Sequence, residues 1–252
     1  MPILIKSAIT NHLVELLPAS ERRLLLQYCE LVELQFGAVL CEPNQDYRYL
    51  YFPMSGFISL VSKLKDHKPL EIGLIGNEGM LGGTLVLGVT TAPTKAVVQG
   101  KGTAWRIELV MLQQLLLDCP QLRYIIQQYL FVLMAQLSQS AACAHFHELD
   151  QRLARWLLMS HDRAHSNEFH LTHQFLADML GVRRSGVTVA AGLMQQKKLI
   201  QYSRGQICII DRAALEQASC ACYQCSVDQY HRLLGKLAPD TAQQLLTEQG
   251  AP

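Results

Sequence analysis

The sequence predicts an α+β fold, with an antiparallel β-barrel of jelly-roll type followed by a long helix and a small C-terminal α/β unit. Between Leu34 and about Ile107, short apolar runs alternate with Gly, Pro and Asn, as in barrels and sandwiches. Residues 110–164 have helical spacing. Residues 171–210 combine two short helices with two short strands.

Composition limits the class of protein. Half of the 252 residues are hydrophobic and the net charge is +1, so a sizeable core is expected without polybasic character. The start lacks a secretory pattern, and no stretch of about 18 uncharged apolar residues occurs, so we expect a cytoplasmic protein without a membrane partner. No P-loop, GxSxG, HExxH or paired-glycine motif appears, so we expect no enzyme and no catalytic residues.

The N-terminal segment predicts helices. Ile9–Val32 has helical spacing with a break at Leu17-Pro18. Ser20 is expected to cap a helix over Glu21–Glu30, because its hydroxyl can accept a free backbone N–H. In the strand region that follows, the polar segment Ser62–Pro69 predicts a hairpin tip.

Helices are expected next, over Val110–Cys119, Gln121–Phe146 and Asp150–His165. The middle one carries a single charge, Arg123, so it has no well-solvated face. We therefore expect the chain's own barrel to cover it on one side and a second copy of the chain on the other. One of its apolar stripes has the period of a coiled-coil seam; it comprises Leu122, Ile126, Tyr129, Leu133 and Gln136. A buried core helix within a monomer is the alternative.

The segment LTHQFLADMLGVRRSGVTVAAGLMQQKKLI (171–200) predicts a helix-turn-helix. Thr172 can cap the first helix, and Gly181 permits the tight turn. Residues 171–210 hold five basic side chains against one acidic. Two of them, Arg183 and Arg184, stand at a helix N-terminus, where the helix dipole disfavours positive charge. DNA would explain this placement, because N-terminal residues of such helices reach base edges in the major groove.

Two short strands around Arg204 and Gly205 then predict a basic β-hairpin, a wing beside the helix-turn-helix. The expected base-reading residues are Arg184, Ser185 and Thr188. The expected contacts to the DNA backbone come from Thr172, Gln174, Arg183 and Arg204. The alternatives are a helical hairpin with stray arginines, or an effector-binding or protein-interaction module that has lost DNA binding.

These segments resemble the Crp/Fnr family of transcription regulators. The C-terminal run LTHQFLADMLGVRRSGVTVAAGLMQQKKLIQYSRGQICIIDRAALE carries the resemblance, and FGAVLCEPNQDYRYLYFPMSGFISLV with IGNEGMLG resembles the family's cyclic-nucleotide-binding-like barrel. The resemblance implies a homodimer that reads a two-fold symmetric DNA site and acts on RNA polymerase. The expected domains are a sensor domain at 1–120, a dimerisation helix at 121–147, a winged helix-turn-helix at 148–225 and a tail at 226–252.

The candidate effector pocket departs from the family pattern. In members that bind cyclic AMP, a Gly-Glu pair holds the ribose and an Arg-Ser pair holds the cyclic phosphate. Here Glu78 and Gly79 lie near the ribose position, and Thr94 and Lys95 replace the second pair. Because lysine cannot reproduce the bidentate fork of a guanidinium group, we expect no control by cyclic AMP. The effector is unknown.

The cysteines predict no cofactor and no metal. The N-terminal cluster of the family's oxygen-sensing branch is missing, and eight irregularly spaced cysteines indicate free thiols. The densest group is Cys220-x-Cys222-x-x-Cys225; a metal or redox role for it, with His231 as a fourth ligand, stays open. Cys143, His145 and His147 cannot all share one helical face.

Overall fold

The computed structural model describes residues 10–164 and 168–235. The N-terminal half forms two short helices and seven strands, interrupted by a 3-10 turn at Gly83–Leu87. The elements are α1 His12–Glu15, α2 Ala19–Gln27, β1 Glu30–Leu34, β2 Val39–Cys41, β3 Tyr49–Pro53, β4 Phe57–Ser62, β5 Leu70–Ile75, β6 Lys95–Gly100 and β7 Gly102–Glu108.

The seven strands form two antiparallel sheets, in the orders β1-β7-β3 and β2-β6-β4-β5. Apolar side chains of both sheets meet in one buried cluster that includes Leu34 and Tyr51 from the first sheet and Ile58 and Val98 from the second. The hairpin between β4 and β5 turns within residues 63–69, as the polar segment predicts. The expectation of an antiparallel, barrel-like N-terminal domain is confirmed.

The expected helix at Glu21–Glu30 is wrong at both ends. Helix α2 begins at Ala19, and its N-cap is Pro18, which has no capping side chain; Ser20 lies inside the first turn. The helix ends at Gln27, because residues 30–34 pair with β7 and thus require extended backbone. Ile9 lies outside the described residues.

Three helices follow the sheets, close to the expected bounds: α3 Leu109–Asp118, α4 Pro120–Phe146 and α5 Leu149–Ala164. His165 lies outside the described residues. On α4, the stripe that was expected to form the seam between two copies instead packs inside the chain: Leu122, Ile126 and Tyr129 belong to a core shared with α1–α3. This prediction is wrong because α4 is apolar on more than one face, and spacing alone cannot say which face packs inward.

The C-terminal part comprises β8 Glu168–His170, α6 His173–Leu180, α7 Arg184–Gln196, β9 Ile200–Ser203, β10 Gln206–Ile209, α8 Arg212–Ala218 and α9 Cys222–Leu233. Helix α9 runs through the expected boundary between residues 225 and 226 and packs on α4. Leu234, just after α9, is buried in the core of the first half. Within the described ranges, no helix is both long enough and apolar enough to span a membrane.

The two halves of the chain share a core around Trp156 of α5. The indole packs edge-on against Phe57 of β4, with ring centroids 6.4 Å apart, and against Phe175 of α6 at 6.3 Å. Its Nε1 donates a hydrogen bond to Glu71 of β5 at 2.7 Å. A second link is the ion pair between Arg163 of α5 and Glu78, at 2.7 Å. The position of α5 therefore couples the sheets to the C-terminal helices.

Burial raises the pKa of the Glu71 carboxyl to about 7, against the hydrogen bonds from Ser59 and Trp156 and the positive charges of Arg163 and Arg155. The folded chain therefore holds the Glu71 proton more tightly than the unfolded chain does. We expect this group to make the free energy of unfolding fall as the pH rises from about 4.5 to about 7.

Glu71→Gln should remove this pH dependence of the free energy of unfolding, because the amide keeps hydrogen-bonding groups but does not titrate. Denaturant unfolding of both proteins across this pH window measures the difference. Glu33→Gln, at an exposed position of β1, is the matched control and should keep the wild-type slope. An unchanged slope in Glu71→Gln would show that another group carries the pH dependence.

Candidate nucleic-acid interface

Helix α6 begins and ends where the sequence predicts. Thr172 is its N-cap, and the hydroxyl accepts a hydrogen bond from the backbone N–H of Phe175 at 3.1 Å. Gly181 ends the helix in the left-handed conformation, with φ of 68°. A side chain there would be strained and would meet Leu70 of the β4–β5 hairpin, so glycine sets the angle between α6 and α7.

Helix α7 has a buried face and an exposed face. Val187, Ala190, Ala191 and Met194 are buried in the core that surrounds Trp156. The opposite face exposes Arg183, Arg184, Ser185 and Thr188.

The N-terminus of α7 is suited to an anion. Arg183 is the N-cap residue and contributes no capping hydrogen bond from its side chain. Among the residues that the structure describes, neither Arg183 nor Arg184 forms an ion pair. Backbone N–H groups of the first helical turn and two exposed guanidinium groups without an ion pair in the described residues thus lie at one helix end, where they favour negative charge.

The expected wing is present as the hairpin of β9 and β10. Ser203 pairs with Gln206, so the loop has two residues, Arg204 and Gly205, both with positive φ (50° and 82°). Such loops match the twist of the flanking strands. The loop holds the Arg204 side chain at an exposed tip. Its backbone is anchored, because Gly205 accepts a hydrogen bond from the N–H of Leu171 at 2.7 Å.

His173 contacts both of the other parts of this surface, α7 and the wing, from its position at the start of α6. Its ring stacks on Tyr202 of the wing, with centroids 4.2 Å apart, and its Nδ1 lies 3.0 Å from the Thr188 hydroxyl of α7. Partial burial, and then the charge of Arg184, lowers the pKa of His173. No sequence motif identifies this residue, because its partners lie 15 and 29 positions away.

Three of the predicted contact residues have hydrogen-bond partners within the chain, and one of them is Thr172, the cap of α6 described above. The Thr188 hydroxyl donates to the backbone oxygen of Arg184 at 3.0 Å. The Gln174 amide donates to Asp178 at 2.9 Å, and Asp178 also pairs with Lys68 of the β4–β5 hairpin at 3.0 Å. Ser185, Arg184 and Arg204 remain exposed. The surface thus presents Arg183, Arg184, Ser185 and Arg204 outward, and holds Thr172, Gln174 and Thr188 by hydrogen bonds.

The candidate effector residues fall in two places. Lys95, the first residue of β6, pairs with Glu42, which directly follows β2, at 2.8 Å, and Thr94 directly precedes β6. Glu78 pairs with Arg163 and accepts a hydrogen bond from the N–H of Gly76 at 3.1 Å. Gly79 packs so closely on Tyr129 of α4 that a Cβ there would lie 2.2 Å from the phenol oxygen.

Glu78 lines a cavity of about 360 Å³ between α4, α5 and α9. Tyr129, Arg163, Arg212 and Tyr230 are among its walls, whereas Thr94 and Lys95 are not. The four candidate residues therefore do not share this cavity.

Two family models match the chain. A cyclic nucleotide-binding domain matches residues 31–119, and a Crp-like helix-turn-helix domain matches residues 151–218. The first match covers all seven strands of the two sheets except the start of β1, and continues through α3. The second runs from α5 to α8 and contains α6, α7 and the wing. A comparison with curated protein sequences finds no match.

Solved structures have the same fold at low sequence identity. FixK2 from Bradyrhizobium japonicum aligns with a TM-score of 0.63 at 13% identity, over 77% of this chain and 98% of its own. The c-di-GMP-responsive global regulator CLP from Xanthomonas campestris gives 0.62 at 17%, over 77% and 100%. A Crp/Fnr-family transcriptional regulator from Eubacterium rectale gives 0.62 at 18%, over 80% and 94%.

Proposed function

With a cyclic nucleotide-binding domain followed by a Crp-like helix-turn-helix, the chain belongs to the Crp/Fnr family of transcription regulators, and we propose that it reads a two-fold symmetric DNA site as a homodimer. The family consists of regulators, not enzymes. We propose that this chain acts on DNA in the cytoplasm and that RNA polymerase is its further partner. An interaction module that has lost DNA binding is the alternative.

The observation that carries this proposal is the unpaired positive charge at the start of α7. Helix-turn-helix proteins insert this end of the helix into the major groove. Arginine can bond there to both O6 and N7 of guanine. We assign base reading to Arg184, Ser185 and Thr188. Backbone contacts are assigned to Thr172, Gln174, Arg183 and Arg204. Because adjacent helical residues point about 100° apart, one of the two neighbouring arginines reaches a base and the other a phosphate.

Arg184→Ala should weaken binding to the cognate DNA site strongly and to scrambled DNA little, since a bidentate base contact contributes roughly 1–3 kcal/mol of discrimination. Arg204→Ala should weaken both alike and reduce the salt slope by about one per subunit, because phosphate contacts carry no base information. Titration of labelled duplexes at two salt concentrations measures both effects. The cognate site should be an interrupted palindrome with half-site centres about 10 base pairs apart, or a multiple.

Arg183→Ala is the matched control for Arg184→Ala, because it removes the same charge one position away. If Arg183→Ala alone lost cognate binding, the two assignments would be exchanged. If neither variant changed the affinity for DNA, α7 would not be the recognition helix and the alternative of a module without DNA binding would be favoured.

The dimer surface that we propose is the exposed stripe of α4. The inward face of this helix is covered by the first half of the chain and by α9. The outward face carries exposed residues at alternating spacings of four and three, the pattern of a two-helix seam. They are Gln127, Phe131, Met134, Ser138 and Ala141. Phe131 and Met134 are 46% and 56% exposed, large fractions for such side chains on a helix with so little charge.

Phe131→Glu combined with Met134→Glu should convert the dimer to a folded monomer, because opposed carboxylates would replace apolar contacts at the centre of the seam. Sedimentation at micromolar concentration measures the mass. The matched control is Leu117→Glu on α3, whose side chain is 77% exposed, and it should leave the dimer intact. A wild-type chain that sediments as a folded monomer, or a double variant that remains a dimer, contradicts this assignment.

We also propose that cyclic AMP does not control the protein. Lys95 stands where the cyclic phosphate would need a guanidinium fork, and its ammonium group already pairs with Glu42. An effector that uses Glu78 would instead enter the cavity between α4, α5 and α9. Saturating cyclic AMP should therefore change neither the melting temperature nor the DNA affinity. Saturable heat in a calorimetric titration that Lys95→Ala abolishes would reverse this conclusion.

A further inference from the structure

Three cysteines and one histidine converge where the long helix ends. Cys143 and His147 lie on the last turn of α4 and its C-cap, and Cys220 and Cys222 lie at the start of α9. One ligand atom from each lies within 4.8 Å of the other three. The Sγ atoms of Cys143 and Cys220 are 3.5 Å apart, as are Cys222 Sγ and His147 Nδ1. The three cysteines are buried.

The two shortest of these separations are close to the edges of a coordination tetrahedron. With Zn–S of about 2.3 Å and Zn–N of about 2.1 Å, tetrahedral geometry puts two sulfurs roughly 3.8 Å apart and a sulfur and a nitrogen roughly 3.6 Å apart. The observed 3.5 Å distances need only a small expansion to reach these values. A disulfide would need the two sulfurs at about 2.05 Å, and all three thiols are free.

We propose that Cys143, His147, Cys220 and Cys222 bind one Zn²⁺ ion in a closed Cys3His site. Three soft sulfur ligands and one imidazole are a donor set that zinc prefers, and four protein ligands leave no position for a substrate. The site is therefore structural rather than catalytic. It does not depend on DNA binding.

The surroundings match the charge of such a site. Three thiolates and one zinc ion leave one net negative charge. Arg155 of α5 is buried, lines a common cavity with Cys143, and within the described residues its Nε has no hydrogen-bond partner. Its guanidinium group offsets that charge. The Gln139 amide lies 2.9 Å from Cys222 Sγ and donates to the sulfur, as outer groups do around metal ligands.

The ligand set differs from both sequence patterns that contain these residues. Cys225 and His231 are exposed and lie outside the cluster, so the close-spaced Cys220-x-Cys222-x-x-Cys225 is not the ligand set. Cys143 lies in the last turns of α4 and His147 is its C-cap residue, whereas the intervening His145 is exposed and lies outside the cluster. The ion would join segments 75 to 77 residues apart and hold α9 on the end of α4.

The first test uses the full-length, unmodified chain after removal of metal under reducing conditions. Titration with Zn²⁺ against a chromophoric chelator should show one tight site per chain. Co²⁺, as a spectroscopic substitute, should give thiolate-to-metal charge-transfer bands and the intense ligand-field bands of tetrahedral cobalt. Weak octahedral bands, no stoichiometric zinc, or a Cys143–Cys220 disulfide in freshly isolated protein would overturn the proposal.

The second test assigns the ligands. Cys220→Ser should abolish stoichiometric zinc binding and the charge-transfer bands. Cys225→Ser, which changes an exposed thiol three residues from a ligand, is the matched control and should leave both unchanged. Loss of zinc in Cys225→Ser, or retention of full affinity in Cys220→Ser, would contradict the ligand set. If Cys220→Ser fails to fold, the cobalt spectrum of the unmodified chain still tests for a tetrahedral thiolate site. The Cys225→Ser control still tests whether Cys225 is a ligand.

Discussion

The Trp156 indole contacts both halves of the chain, and the arrangement of the other elements depends on it. Its ring packs on Phe57 of a strand and on Phe175 of α6, while its N–H donates to Glu71. Because Phe57 and Leu74 belong to the same buried cluster as the helix-turn-helix core, the first half supplies part of the second half's interior. A change in the sheets can therefore reach α7 through packing, without a flexible linker.

The surface formed by α6, α7 and the wing combines rigid support with unpaired charge. Its helices are fixed by a threonine cap, a left-handed glycine and the stacked rings of His173 and Tyr202. These contacts do not stabilise the charges of Arg183 and Arg184, because both residues stand at the positive end of a helix and have no acidic partner in the described residues. Residues that oppose local stability in an otherwise consistent structure are expected at functional sites, where a ligand supplies the missing interaction.

The sequence predicts local structure better than it predicts which surfaces meet. Thr172, Gly181 and Gly205 place α6, the turn and the wing correctly, because each acts on the backbone beside it. The packing of α4 could not be predicted in this way, because an apolar helix offers several faces and only the surrounding elements select one. The cluster of Cys143 with Cys220 was missed for a related reason: its members meet only after more than seventy intervening residues have folded.

The return of α9 to the first half affects how the protein is made. Leu13 and Leu25, near the start of the chain, share a core with Leu234, and Tyr230 contacts both His12 and the backbone of Glu78. Domains generally fold in order as they leave the ribosome. Here the first hydrophobic core stays incomplete until residue 234 has been synthesised. Until then, apolar surface of the first half stays uncovered, so a ribosome that pauses late in translation would expose this incomplete core to chaperones and proteases.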